Sequence, residues 1–272
     1  MPKHNSEKSA PPGQLELKST SPAVVRAVQV LDAIAKASQA LSLADLARET
    51  GFPKSTLHGL CETLAHMRLV KRQASGAMAL GPHVMTWASA FLSQTSITDE
   101  FQAMWAQSTV FADETVTLSV LDGPDVIYLA CHNGNQPLGI TFRPGMHLPA
   151  PYTATGKAML STLPPEVVTE LLSEQWPQPL TKASVADFDT LSDELAQVRQ
   201  TGYSVDNQQM REGMICFGAP VFDTSGTHAV AGLAVSFLTS EIDSRGGDRI
   251  GRDMRELADQ LSVRLGASLK RF

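Results

Sequence analysis

Apolar positions recur first at helical and then at strand spacing, and the change falls near residue 115. Within Leu41–Val70, Leu43, Leu46 and Ala47 repeat at helical intervals behind Ser42, which is placed to cap the helix. Gly51 closes it, because glycine enters the left-handed conformation cheaply, and Pro53 suits the first turn of the next helix. That second helix carries Leu57, Leu60, Cys61 and Leu64 at i, i+3, i+4, i+7. Its other side holds Lys54, Ser55, Thr56, His58, Gly59 and Thr63, short polar groups plus one cation, a suitable lining for a helix laid in a DNA major groove. Helix pairs joined by a glycine turn also occur in proteins that never touch DNA. The sequel favours DNA: Lys71 and Arg72 leave the helix after Leu69–Val70, a Gln-Ala-Ser-Gly turn follows, and Ala77–Leu80 returns before Gly81-Pro82. A strand, a turn and a second strand behind a recognition helix make a winged helix-turn-helix over 22–82.

Ahead of it, Ser21-Pro22 starts a helix from which Val24, Val28 and Leu31 are expected to pack on the two motif helices, completing a three-helix core. Arg26 near its start is placed equally for a phosphate or for solvent. Residues 1–21, rich in Ser, Pro and Lys, read as a disordered tail. Behind the wing, Val84, Met85, Trp87, Ala88, Phe91 and Leu92 form a broad apolar stripe on a linker helix over 83–96. A helix over Ile97–Phe111 then opens the next domain, 97–272. The stripe suits either a dimer seam or ordinary core packing.

From Thr115 the alternation predicts a hairpin, Val116–Leu121 with Val126–Ala130 around Asp122-Gly123-Pro124-Asp125, and a third strand at Leu138–Phe142. Helices follow at Thr153–Ser161, Pro165–Ser173 and Asp187–Thr201. Strands return at Tyr203–Asp206, Met214–Phe222 and Ala229–Phe237, and a long helix from about Ser240 ends the chain. The fold class is α+β, a sheet with helices on its faces.

Composition narrows the function. Hydrophobic content of 43% and charge of 18% suit a soluble protein. No apolar run approaches the ~20 residues that cross a bilayer, and the first residues lack the apolar core of a signal peptide. Cys61, Cys131 and Cys216 stand far apart without a CxxC, so neither a metal site nor a disulfide framework is expected, and the reading is a reduced cytoplasm. The net charge of −6 is uneven. Residues 22–80 hold seven Lys and Arg against four Asp and Glu, whereas 81–272 hold twelve against twenty-two. A modestly basic head on an acidic body suits a protein that offers one end to phosphates.

Two strings are more specific: RPGMHLPAPYTATGKAMLSTLP, Arg143–Pro164, and TGYSVDNQQMREGMICFGAPVFDTSGTHAVAGLAVSF, Thr201–Phe237. In the first, small residues run into a helix start whose free N–H groups attract an anion such as a ligand carboxylate; close packing of small residues is the alternative. A phosphate-binding P-loop fails, since Pro151 replaces its first glycine and Ala158 follows Lys157 where Ser or Thr is needed. Cys216, with His132 or His228 as base, invites a catalytic reading and an enzyme with a helix-turn-helix appendage. A lone cysteine on an apolar strand is more often a small buried hydrophobe. A sheet domain serving only oligomerisation is the other rival.

Together with the winged helix, these strings resemble the IclR family of bacterial transcription regulators, from about Ser21 to nearly the end of the chain. The resemblance implies a C-terminal GAF-like domain that binds an effector, and homodimers or homotetramers on double-stranded operator DNA, as repressor or activator; neither string supplies the nucleophile, base and oxyanion donors of hydrolysis, so no catalysis and no cofactor are expected. Carried over residue by residue, it implies an effector site at Ala154, Thr155, Asp206, Met214, Cys216 and Ser236. Where the family has an earlier hydroxyl this chain has Ala234, which should leave that corner apolar and suit a small organic acid larger or more aromatic than a two-carbon oxoacid; Tyr152 and Thr153 are expected at the rim. In the head, Gly59 stands where the family commonly has Arg, and Met78-Ala79 where the wing has Tyr-Arg. Base reading is left to Ser55, Thr56, His58 and Thr63, and positioning to Lys54, Lys71 and Arg72.

Overall fold

A computed structural model describes residues 21–94, 97–135, 138, 140–173, 176–242 and 246–268, without the side chains of 91–94. The expected tail lies outside the described residues but for Ser21, as do 95–96 of the expected linker and the side chains of Phe91 and Leu92. The chain forms two compact units, Met1–Phe91 and Leu92–Phe272. Among the described residues no helix is long and apolar enough to cross a membrane.

The N-terminal unit contains α1 (Pro22–Lys36), α2 (Leu43–Thr50), α3 (Lys54–His66) and the antiparallel pair β1 (Val70–Arg72) and β2 (Met78–Leu80). Ser42 caps α2 reciprocally with Asp45: the Asp45 N–H donates to Ser42 Oγ at 3.2 Å, and the Ser42 N–H donates to Asp45 Oδ2 at 3.0 Å. Gly51 ends α2 at φ 71°. Leu46, Leu57, Cys61, Leu64, Val70 and Met78 close a core with Val30 and Ile34. The face of α1 therefore differs from the expected one. Leu31 packs inward as expected, but Val24 and Val28 are 60% and 49% exposed, and Ala27, Val30 and Ile34 turn inward in their place. Helix α4 (His83–Gln94) follows; Val84 meets this core, but Met85 and Trp87 are exposed.

The C-terminal unit is an antiparallel sheet in the order β5-β4-β3-β8-β7-β6, made of β3 (Thr115–Asp122), β4 (Asp125–His132), β5 (His147–Pro149), β6 (Ser204–Asn207), β7 (Met214–Val221) and β8 (Ala231–Leu238). One face is covered by α6 (Ala154–Leu160) and α8 (Phe188–Thr201), with α7 (Pro165–Ser173) in the same apolar cluster. The other is covered by α5 (Ile97–Trp105) and α9 (Gly247–Arg264).

Several boundaries differ from those read in the sequence. Residues 138 and 140–142 form no strand. Leu138 and Phe142 are buried without a ladder, and the sheet edge is β5 instead. Helix α5 stops at Trp105, and Phe111 takes a left-handed φ of 60°. The last helix begins at Gly247, after a 3-10 turn at Thr239–Glu241, not near Ser240.

Candidate functional site

On α3 the apolar stripe Leu57, Cys61, Leu64 is buried, which turns the opposite side outward. Lys54, Ser55, His58, Gly59 and Thr63 are exposed and Thr56 is half-buried; Lys71 and Arg72 are exposed on the wing. The Thr63 hydroxyl donates to the Gly59 carbonyl at 2.9 Å. Glu62, absent from the expected lining, sits one turn beyond His58 with 3.9 Å between Oε1 and Nε2. Its i+4 spacing from His58 was the signal available in the sequence. A Cβ built at Gly59 meets nothing within 4 Å, so the fold itself does not require glycine there. Arg26 is exposed, its guanidinium 5.9 Å from the Phe52 ring centre.

The second site lies between α6 and the sheet. Register places Thr115, Ser236, Cys216 and Asp206 opposite one another across four strands, with Thr117, Ala234 and Gly218 in the next row. Period two then turns both rows toward α6. The start of α6 approaches closely because Gly218 and Gly232 lack side chains. A Cβ at Gly218 would stand 2.7 Å from the Ala154 carbonyl, and one at Gly232 2.6 Å from that of Thr155. The Ser204 hydroxyl donates to the Ala154 carbonyl at 2.6 Å, fastening the same turn.

A cavity opens at this junction, lined by all six expected residues, Ala154, Thr155, Asp206, Met214, Cys216 and Ser236, together with Thr153, Ala234, Thr117, Tyr128, Phe142 and Met210. The last four escaped the sequence reading. Thr117 pairs with Ala234, so a hydroxyl from the neighbouring strand stands in the corner expected to be apolar. Tyr152 is absent from the rim: it is fully buried, and its hydroxyl donates to the Pro177 carbonyl at 2.6 Å. The free space is small, about 10 Å³ for the centre of a water molecule, enough for roughly one water.

The walls are mainly apolar, with Phe142, Met210, Met214 and Ala234 beside a few polar side chains, and bear little charge. Thr153 Oγ1 accepts from the Gly156 N–H at 3.1 Å, so one of the N–H groups at the α6 start is already satisfied. The buried Thr155 hydroxyl has no hydrogen-bond partner of good geometry, although the Tyr128 phenol lies close enough to feel it. Cys216 Sγ and Ser236 Oγ are 3.2 Å apart. Asp206 is 1% exposed, and its Oδ1 accepts from the N–H groups of Gln209 (2.7 Å) and Met210 (3.2 Å). Burial pushes its carboxyl up to about 6, while Lys157 and these N–H groups pull the other way. Burial also raises the Cys216 thiol and the Tyr128 phenol well above their ordinary values, so both stay neutral. Lys157 is fully buried on α6 but does not line the cavity. Its ammonium donates to Glu194 Oε2 at 2.6 Å, to Gln209 Oε1 at 3.2 Å and to the Val205 carbonyl.

Neither histidine expected as the base for Cys216 reaches it, and the carboxyl that does face the thiol is Asp206. Among the described residues no histidine lines the cavity; the His132 ring packs on Trp105, and His228 Nδ1 lies 2.9 Å from the Thr162 carbonyl.

Comparison with known proteins matches both units. Residues 23–74 match the IclR helix-turn-helix domain, and residues 89–263 match the C-terminal domain of bacterial transcriptional regulator IclR. The HTH-type transcriptional regulator BhcR of Paracoccus denitrificans is 28% identical over 88% of this chain and 86% of its own length. The repressor BlcR of Agrobacterium tumefaciens, known as a crystal structure, is 44% identical, with a TM-score of 0.61 over 92% of this chain and 99% of that one. An IclR homolog of Microbacterium hydrocarbonoxydans complexed with 4-hydroxybenzoate shares the fold at 21% identity, with a TM-score of 0.76 over 90% of this chain and all of that one.

Proposed function

The chain belongs to the IclR family of bacterial transcriptional regulators, and on that footing we propose that it is a ligand-responsive repressor whose grip on operator DNA is set by a small organic acid held against α6. Regulators of this family bind DNA and small-molecule effectors. The observation that supports the reading for this chain is the meeting of six residues, drawn from 154 to 236, around one cavity.

In the proposed docking, α3 enters the major groove. Ser55, Thr56, His58 and Thr63 face base edges, Gly59 lets the helix axis come close, and Lys54, Lys71 and Arg72 meet phosphates. Two copies in a symmetric homodimer, or four in a homotetramer, would address two half-sites of a palindromic operator in the cytoplasm. The repressing sign is supported by the name of BlcR, at 44% identity. The acid acts by binding one subunit arrangement better than the other, since only a differential affinity shifts an equilibrium.

The cavity as it stands admits roughly one water, so an aromatic acid enters only if Met210, Met214 or Phe142 withdraws. Methionine repacks readily enough to allow this. Burial raises the Cys216 thiol well above its ordinary value and so keeps it from being a nucleophile, and the cavity is read as a binding site.

A thermal-shift screen of the full chain with aliphatic and aromatic carboxylates tests the proposal, followed by duplex binding with and without each hit. An acid at one hundred times its Kd should add ~2.7 kcal/mol of stability and change duplex affinity. Stabilisation by none of the acids would overturn the reading.

A further inference from the structure

We propose that the cavity takes up its organic acid together with a proton, and that Asp206 is the group that receives it. The inference rests on the reading of the cavity as an acid-binding site. It comes from the charges that face the cavity, whose walls hold one carboxylate and no cation among the described residues.

The groups around Asp206 come from every element packed on it. From β7 the Cys216 thiol, and from β4 the Tyr128 phenol, face it as neutral groups. From the loop after β6 the N–H groups of Gln209 and Met210 donate to Oδ1. From α6 comes Lys157, the cation that pulls on Asp206, and its ammonium is turned to Glu194 of α8, Gln209 and the Val205 carbonyl. Lysine and glutamate therefore neutralise each other behind the wall. A ligand carboxylate entering the cavity meets the Asp206 carboxylate with no cation on the walls to offset it, in surroundings where like charges repel strongly.

One proton removes the conflict. Taken from solvent onto the Asp206 carboxylate, it turns two like charges into one. Oδ2 accepts from neither loop N–H, since both end on Oδ1, and the Cys216 thiol is the other group that hydrogen-bonds this carboxyl. The new O–H then donates to the ligand carboxylate, while the hydroxyls of Thr155, Thr117 and Ser236 offer further neutral donors. No bond of the ligand breaks, and the only transfer is from water or buffer to Asp206. The proton is within easy reach near neutrality, since burial already holds this carboxyl near 6.

Binding of butyrate, 4-hydroxybenzoate and the amides of both to the full chain, measured by calorimetry at pH 6, 7 and 8, tests the inference. If only the protonated form accepts an acid, the competent fraction falls from about one half at pH 6 to about one hundredth at pH 8, so acid Kd should weaken about 50-fold. The amides should change less than about threefold. Asp206→Asn keeps an acceptor for the loop N–H groups and imitates the protonated acid. It should bind the acids at pH 8 about as tightly as the unaltered protein does at pH 6, with no pH dependence. If that variant fails to fold, the proton count decides: heats in two buffers of different ionisation enthalpy at pH 8 should give about one proton taken up per acid bound. Acid binding that is flat from pH 6 to 8, or that takes up no proton, would overturn the coupling and leave the acid site standing. The coupling is overturned likewise if Asp206→Asn keeps the full 50-fold dependence, or if the amides bind and the acids do not even at pH 6. Failure of all four compounds to bind either protein at any pH would instead defeat the reading of the cavity, and the coupling with it.

Discussion

Gly59→Ala should push fold stability and operator affinity in opposite directions. Glycine in a helix interior costs about 1 kcal/mol relative to alanine, and a Cβ at this position meets nothing within 4 Å. The substitution should therefore stabilise the N-terminal unit by roughly 0.5–1 kcal/mol, which for a unit of this size raises its melting temperature by ~2–8 °C. On DNA the same methyl would stand between the middle of α3 and the groove. Loss of one base-pair interaction costs roughly 1–3 kcal/mol, a weakening of about 5- to 150-fold. The assays are a circular-dichroism melt of the full chain and fluorescence anisotropy on a selected duplex at one fixed salt concentration. A destabilised variant could lose affinity for trivial reasons, but a stabilised one could not. Equal or tighter duplex binding by Gly59→Ala would refute the close approach of α3 to the groove at Gly59.

Replacing Ser55 and Thr56 together by alanine should weaken specific binding by roughly 1–3 kcal/mol per lost base contact with an unchanged melt, whereas Lys71→Ala or Arg72→Ala should lower the salt slope of binding by about one; a double variant with native sequence preference would move base reading off α3. Asp206→Asn should stabilise the fold in a pH-dependent way. The folded carboxyl sits at about 6 against an ordinary 3.8, so its contribution to stability is fully present below 3.8 and is lost as pH rises through 6. At about 1.36 kcal/mol per pH unit the loss is ~3 kcal/mol, and the variant should melt higher at pH 7.5 but alike near pH 4; equal melts at both would contradict the burial argument. Ala154→Leu should fill the small cavity, abolish the response to acid and keep duplex binding, at a stability cost of ~1–3 kcal/mol; a normal response would place the ligand elsewhere.

Local chemistry made the N-terminal unit readable. Ser42, Gly51 and the Leu57–Cys61–Leu64 spacing each act within one or two turns, and all three hold in the structure. Helix α1 was ambiguous because Val24, Val25, Val28 and Val30 give two overlapping stripes, and only packing on α2 and α3 selects Val30 and Ile34. The 138–142 segment reads as a strand by its apolar residues. Leu138 and Phe142 are buried all the same, while Tyr128 pairs its backbone with Gly145 and Met146 instead.

The cavity was half legible. Asp206, Cys216 and Ser236 came from strings carrying a family resemblance, but Thr117 and Tyr128 join them through strand register between β3, β4 and β8, which alternation alone does not reveal. The closing of Lys157 onto Glu194 and Gln209, across 37 and 52 residues, left no local trace either. That contact decides the charge the cavity presents.

The link between the two units is tested most directly by one titration. A duplex enriched from random sequence by the full chain is bound to the protein at saturating ratio, and an acid that stabilises the protein is added while anisotropy is followed. A coupling of ~1–3 kcal/mol corresponds to a change in duplex Kd of about 5- to 150-fold, and that is the result expected, with no change in Ala154→Leu. A duplex affinity that stays constant while the acid saturates its site would contradict it.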